Sequence, residues 1–240
     1  MLGAWAKSGV RGAPDRAEAI LHKMDQLSKE NSDDEVAPDN ISFNTVLHAW
    51  ARSDSKWAAK RAQSILRHMD KLHENGNKLI QPDTVTYSTC INAWARSASS
   101  RTFLKQKDSI SPAKNAESIL RRMEYVFSNG LNHRAKPNIL AYNAVLNAWS
   151  KSGDENAAKQ ACSILESMEI NPDIQPDVYS FTSTINACAK AKDAQMAEAI
   201  LEKMENLYKA TGNLSVKPNI RSYTSVSIHT QHIFGANVHP

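Results

Sequence analysis

Glycine is scarce in this chain, eight residues in 240, and cysteine scarcer still, with three. The cysteines, Cys90, Cys162 and Cys188, are odd in number and far apart in sequence, which argues against a disulfide framework or a CxxC metal site. No apolar run approaches the roughly eighteen residues that cross a bilayer. The opening MLGAWAKSG lacks both the basic-then-apolar order of a secretory signal and a long Arg/Ser-rich transit segment. Catalytic signatures are missing too: there is no GxSxG, P-loop, HExxH or GxGxxG. His68 and His73 are five apart, the wrong interval for one helical face, and His229, His232 and His239 lie in an aperiodic tail. Asp33, Asp34 and Glu35 read as a solvated loop before Pro38. What is abundant is Ala, Leu, Ile, Met, Glu and Lys, a helical and soluble composition. The net charge of +4 permits an anionic partner without requiring one.

Organisation is carried by an internal repeat. PDNISFNTVLHAWAR (38–52), PDTVTYSTCINAWAR (82–96), PNILAYNAVLNAWSK (137–151) and PDVYSFTSTINACAK (176–190) align without a gap, and PNIRSYT opens a fifth copy at Pro218. A second unit is interleaved with these: RAEAILHKM, RAQSILRHM, NAESILRRM, QACSILESM and MAEAILEKM end at Met24, Met69, Met123, Met168 and Met204. In the first unit Phe43, Val46, Leu47 and Trp50 follow the i, i+3, i+4, i+7 spacing of an amphipathic helix. In the second, Ala62, Ile65, Leu66 and Met69 share one face, with Ala where two helices approach closely. The Pro-Asp or Pro-Asn before each first helix halts the preceding element and supplies an N-cap. Neither helix buries its stripe alone, so successive hairpins must stack, and about three repeats are needed for a stable core.

The order aromatic, Asn/Ser/Thr, apolar pair, small-Trp/Cys, small, Lys/Arg, then Ala-x-x-Ile-Leu-x-x-Met and Pro-Asp resembles the pentatricopeptide repeat family over residues 1–224. The resemblance implies an all-α, right-handed superhelical solenoid of stacked helix-turn-helix repeats. The expected divisions are a partial first repeat at 1–39, repeats at 40–83, 84–138 (with a long insertion), 139–177 and 178–219, and a further start with a disordered tail at 220–240. Because 1–39 holds only the end of a first helix (Ala4, Trp5) and one second helix, the chain is expected to be a piece of a longer array. The family period is about 35 residues, whereas the prolines here are 44, 55, 39 and 42 apart. The surplus, greatest at SASSRTFLKQKDSIS, is expected in loops or in longer second helices, outside the core. The tetratricopeptide signature Trp-x-x-Leu-Gly-x-x-Tyr is absent.

A second, polar stripe runs along each first helix at intervals of four: Asn44, His48, Arg52; Ser88, Asn92, Arg96; Asn143, Asn147, Lys151; Thr182, Asn186, Lys190. The last column, which Lys7 extends, is spaced to meet a phosphate backbone, and it equally complements helix C-termini. By the family's pattern a base is read by the residue after the aromatic together with the residue after the closing Pro. Carried over, this pairs Asn44 with Asp83, Ser88 with Asn138, Asn143 with Asp177 and Thr182 with Asn219. An ionised Asp only accepts and suits the N–H edge of uracil or guanine, while Asn can donate to the bare ring nitrogen of adenine or cytosine. Small Ser or Thr leaves room for a purine and Asn favours a pyrimidine, so the implied order is U-A-U-A, 5′ to 3′ from N- to C-terminus. The alternative role of Asp83, Asn138, Asp177 and Asn219 is N-capping. Ile41, Val85, Leu140 and Tyr179 match the family's base-sandwiching column, and would fit a core equally well.

The expected function is therefore sequence-selective binding of single-stranded RNA, with no cofactor, metal or catalytic residue and no membrane partner. By resemblance alone, the setting is RNA processing, stability or translation in a mitochondrion or plastid. The competing expectations are a peptide-binding helical scaffold and the recognition arm of a larger RNA-processing enzyme.

Overall fold

A computed structural model describes residues 1–31, 36–98 and 111–226. All regular elements among them are helical. They are α1 (Leu2–Lys7), α2 (Ala13–Asn31), α3 (Asn40–Arg52), α4 (Ala58–Glu74), α5 (Thr84–Ser97), α6 (Pro112–Ser128), α7 (Ile139–Ser152), α8 (Ala157–Ile170), α9 (Val178–Lys190) and α10 (Ala194–Thr211). A 3₁₀ turn (Leu214–Val216) and a last helix, α11, over 220–226 follow. The acidic run 33–35, most of the long insertion and the tail with its three histidines lie outside the described residues.

The chain divides into two compact units, Met1–Ser97 with Asn115–Pro137, and Ala98–Lys114 with Asn138–Pro240. In the first unit α1 packs on α2 and α3, α3 on α4 and α5, and α4 on α5. In the second, α7 packs on α8 and α9, α8 on α9, and α9 on α10. Within the units, α1, α3 and α7 thus each touch their own second helix and the next repeat's first helix, the connectivity of stacked hairpins that the periodicity predicts. Met69, Met123, Met168 and Met204 are fully buried, as are Val46, Leu47, Trp149 and Phe181.

Polar bonds fix the same joints. The Tyr87 hydroxyl donates to Asp70 at 2.7 Å, and Tyr223 donates to Glu205 at 2.9 Å, so an acid directly after the helix's Met holds the next repeat's tyrosine. Desolvation pushes the Asp70 carboxyl above its ordinary range, against the Tyr87 hydrogen bond and the nearby Arg122. Trp50 Nε1 donates to Glu18 at 2.8 Å in the same spirit.

The surplus length is absorbed partly in the second helices, as expected: α8 has 14 residues where the repeat is shortest, against 17 to 19 in α2, α4, α6 and α10. The segments between second helix and Pro are not all loop, however. Ile80, Ile174 and Val216, each two residues before the proline, are buried, so they plug the hairpin core. They follow no helical period, and so the stripe analysis passed over them. The dispersed cysteines also differ in space from their sequence spacing: Cys162 and Cys188 approach to 3.7 Å as free thiols on α8 and α9.

Candidate nucleic-acid interface

The residue after each repeat-opening Pro caps a first helix. Asp39 accepts the Ser42 N–H at 2.7 Å, Asp83 that of Thr86 at 2.9 Å, Asn138 that of Ala141 at 3.0 Å, and Asn219 that of Ser222 at 3.1 Å. Asp177 accepts the N–H groups of Tyr179 and Ser180 at 3.0 and 2.9 Å and closes a capping box with Ser180. In every case the cap uses Oδ1. Asn138 and Asn219 are left with an amide NH₂, a donor, and the aspartates with Oδ2, an acceptor. Capping therefore occupies one polar atom of each side chain and leaves the other for contacts outside the helix.

Two of the pairs expected from sequence meet within a single unit through hydrogen bonds. Asn44 Nδ2 donates to Asp83 Oδ1 at 3.4 Å, and Asn143 Nδ2 donates to Asp177 at 3.1 Å (Oδ1) and 3.3 Å (Oδ2). Asp83 Oδ2 receives Asn40 Nδ2 at 3.2 Å, whereas Asp177 Oδ2 receives Asn143, and apolar Ile139 stands where Asn40 would be. Thr182 and Asn219 form no mutual hydrogen bond. The buried hydroxyl of Thr182 has no partner among the described residues, and the same holds for Ser88.

Ile41, Val85, Leu140 and Tyr179 are 74%, 50%, 65% and 67% exposed, which removes them from the core and leaves each beside its helix start on the surface. A helix places residues two apart on different faces, and Tyr179 and Phe181 demonstrate it: one faces solvent and the other is sealed.

Within the basic column the residues fall into two groups. Arg96 Nη1 donates to the Ala51 carbonyl at 2.7 Å, and Lys190 Nζ to the Ser150 carbonyl at 2.6 Å. Those carbonyls end the preceding repeat's first helix, so the cation stabilises its neighbour's C-terminus rather than its own. Lys7, Arg52 and Lys151 make no hydrogen bond or ion pair among the described residues of their own units. Lys7 and Arg52 line one shallow cavity of about 700 Å³, which also holds Arg11, Asp15 and Asp54.

Sequence reasoning missed two contributors to this surface, the Asn40 amide and the hydroxyls of Thr86 and Ser180. The latter had a visible signal, since Asp-x-x-Ser/Thr stands at the start of three of the five first helices.

Comparison with known proteins bears on the fold. Residues 163–227 match the model of the pentatricopeptide repeat domain. No curated protein matches the sequence significantly. Among solved structures, the crystal structure of the pentatricopeptide repeat protein PPR10 from maize is similar over 97% of this chain, with a TM-score of 0.54 and 22% identity. The chain spans about a quarter (26%) of that protein's length. Among the described residues no helix is long and apolar enough to cross a membrane. The resemblance carried by the recurring helices is thus matched over residues 163–227 by the pentatricopeptide repeat model, and the described helices share the fold of a pentatricopeptide repeat protein.

Proposed function

We propose that this chain binds single-stranded RNA, one base per repeat, as a recognition module without catalytic residues, acting in RNA processing, stability or translation in a mitochondrion or plastid. The observation that carries the reading is the Asn–Asp pair formed twice, Asn44 with Asp83 and Asn143 with Asp177, each joining the first helix of one repeat to the cap of the next. Such a pair offers an amide edge and a carboxylate oxygen side by side, the set that recognises the edge of uracil. Thr182 with Asn219 would take adenine. Ile41, Val85, Leu140 and Tyr179 would flank the bases, supported by their exposure beside the helix starts. Selection from a random RNA pool tests the order U-A-U-A directly. Duplex RNA of the same sequence should bind far more weakly, because only unstacked bases expose these edges. Equal affinity for single strand and duplex would sink the reading.

The basic column would meet the phosphates, and its two groups predict different behaviour. Lys151→Gln should weaken all RNAs alike, flatten the salt dependence by about 0.7 for the lost phosphate contact, and leave the melting temperature unchanged. Lys190→Gln should also lower stability, by about 1 kcal/mol, because it removes a charge-assisted bond to Ser150. Titrations at several salt concentrations beside thermal melts check both. Identical RNA binding in Lys151→Gln and the parent would remove that residue from the interface.

A further inference from the structure

The two Asn–Asp pairs share a third member. Thr86 Oγ1 lies 2.7 Å from Asn44 Oδ1, and Ser180 Oγ lies 2.6 Å from Asn143 Oδ1. Each hydroxyl is the third residue of the helix that the Asp caps, and each accepts the backbone N–H of that Asp at 3.1 Å. The result is a closed ring. The Asn NH₂ donates to the carboxylate, and the Asp N–H donates to the hydroxyl oxygen; the hydroxyl faces both the Asn carbonyl and its own Asp Oδ1 (2.8 Å for Thr86, 3.0 Å for Ser180), with the Asn carbonyl the nearer acceptor in each.

Orientation follows from which groups can donate. A carboxylate and an amide carbonyl both only accept, so the Asn must turn its NH₂ to the Asp. The Asn44–Asp83 bond alone is a weak restraint at 3.4 Å, beyond the usual N–H···O range, whereas the hydroxyl contact on the other side is 0.7 Å shorter at 2.7 Å. Hence the hydroxyl is the firmer hold on the amide. The other copies behave differently. Ser42 and Ser222 stand at the same place; the Ser42 hydroxyl lies 2.7 Å from the Asp39 carboxylate, and Ser222, preceded by Thr182 rather than Asn, turns its hydroxyl to the Asn219 carbonyl at 2.6 Å. In the remaining copy the place is taken by Ala141, whose helix is capped all the same. A helix start here does not require the hydroxyl.

From this pattern we infer that Thr86 and Ser180 are positioning residues, each orienting the Asn amide of the preceding repeat and so sharpening the pyrimidine selectivity of its Asn–Asp pair. The inference rests on the base-reading function proposed above. With the amide held, the pair presents one fixed donor and acceptor edge beside the Asp oxygen, matched to uracil. With the amide free to turn, its donor and acceptor exchange places and cytosine becomes tolerable.

Binding of the full chain to single-stranded oligonucleotides carrying U-A-U-A, or C, A or G at the third base, reads the effect at Asn143 and Asp177. Ser180→Ala should reduce the preference for U over C at that base by about tenfold, the scale of one net hydrogen bond, while selectivity at the fourth base is unchanged. Ser180→Thr should retain the parent's selectivity, and Ser222→Ala, whose hydroxyl faces the backbone, should change neither base. A capping role alone would lower the melting temperature without altering the U-to-C ratio. An unaltered ratio in folded Ser180→Ala therefore overturns the orienting role and leaves the base-reading pair standing. A parent chain with no preference at the third base overturns the pair itself.

Discussion

Asn219→Asp is expected to move the preferred base at the fourth position from adenine to guanine. In the parent, Asn219 caps α11 with its carbonyl oxygen on Ser222 N–H, so its NH₂ is the group available to the ring nitrogen of adenine. Asp keeps the capping oxygen and replaces that donor with an acceptor suited to guanine's N–H. Thr182 stays small and leaves room for the purine in both. The change in discrimination should be about 1–3 kcal/mol, the scale of one misread base in DNA recognition. Stability should barely move, because Asp and Asn cap comparably. Competition binding with the four bases at that position, beside a thermal melt, separates the outcomes. A folded variant that still prefers adenine would reduce Asn219 to a cap.

Phe181→Ala should have the largest effect on stability. Phe181 is fully buried in a cluster with Leu165, Ile185, Ala197, Ile200 and Met204, where α8, α9 and α10 converge. Removing the ring deletes contacts with both neighbouring helices at once, and a buried Phe→Ala change costs about 3–5 kcal/mol. That is a large fraction of the roughly 5–15 kcal/mol that holds a folded domain together. In a stack of repeats the loss is local, since each repeat couples only to its neighbours. Amide exchange should therefore accelerate first in α9 and α10, with the first unit protected. Tyr179→Ala, two residues away and exposed, should leave the melt within about 0.5 kcal/mol of the parent. Its expected cost is in RNA affinity, about 1–3 kcal/mol for a lost base stack. Equal destabilisation by the two variants would contradict this assignment of faces.

The repeat was legible because its two helices each carry a 3.6-period stripe with fixed punctuation. Phe43, Val46, Leu47, Trp50 and the run Ala62 to Met69 could be assigned to the core without coordinates, since no other face of either helix is apolar enough to bury. The helix starts were equally readable, because Pro halts the preceding element and an Asp or Asn after it can cap the apolar stripe that follows. These features depend on residues within one or two turns of each other. Ile80, Ile174 and Val216 were not legible, being single apolar residues in connecting segments whose burial depends on the hairpin beneath them.

The sequence by itself determined which side chains stand in columns, because helical geometry and a repeated alignment fix that before any tertiary contact forms. It left open whether Ile41, Val85, Leu140 and Tyr179 point inward or outward, and whether Asp83 and Asp177 cap or read. Only packing decides the first, since a lone aliphatic residue at a helix start is buried or exposed according to the neighbour laid against it. Only the hydrogen-bond geometry between repeats bears on the second. A carboxylate has two oxygens, and which is occupied by the backbone depends on where residues some forty positions away, such as Asn40 and Asn44 for Asp83, are brought by the stack. The cations of α5 and α9 likewise found their carbonyl partners in the preceding repeat, a relation of neighbouring helices that no local period encodes.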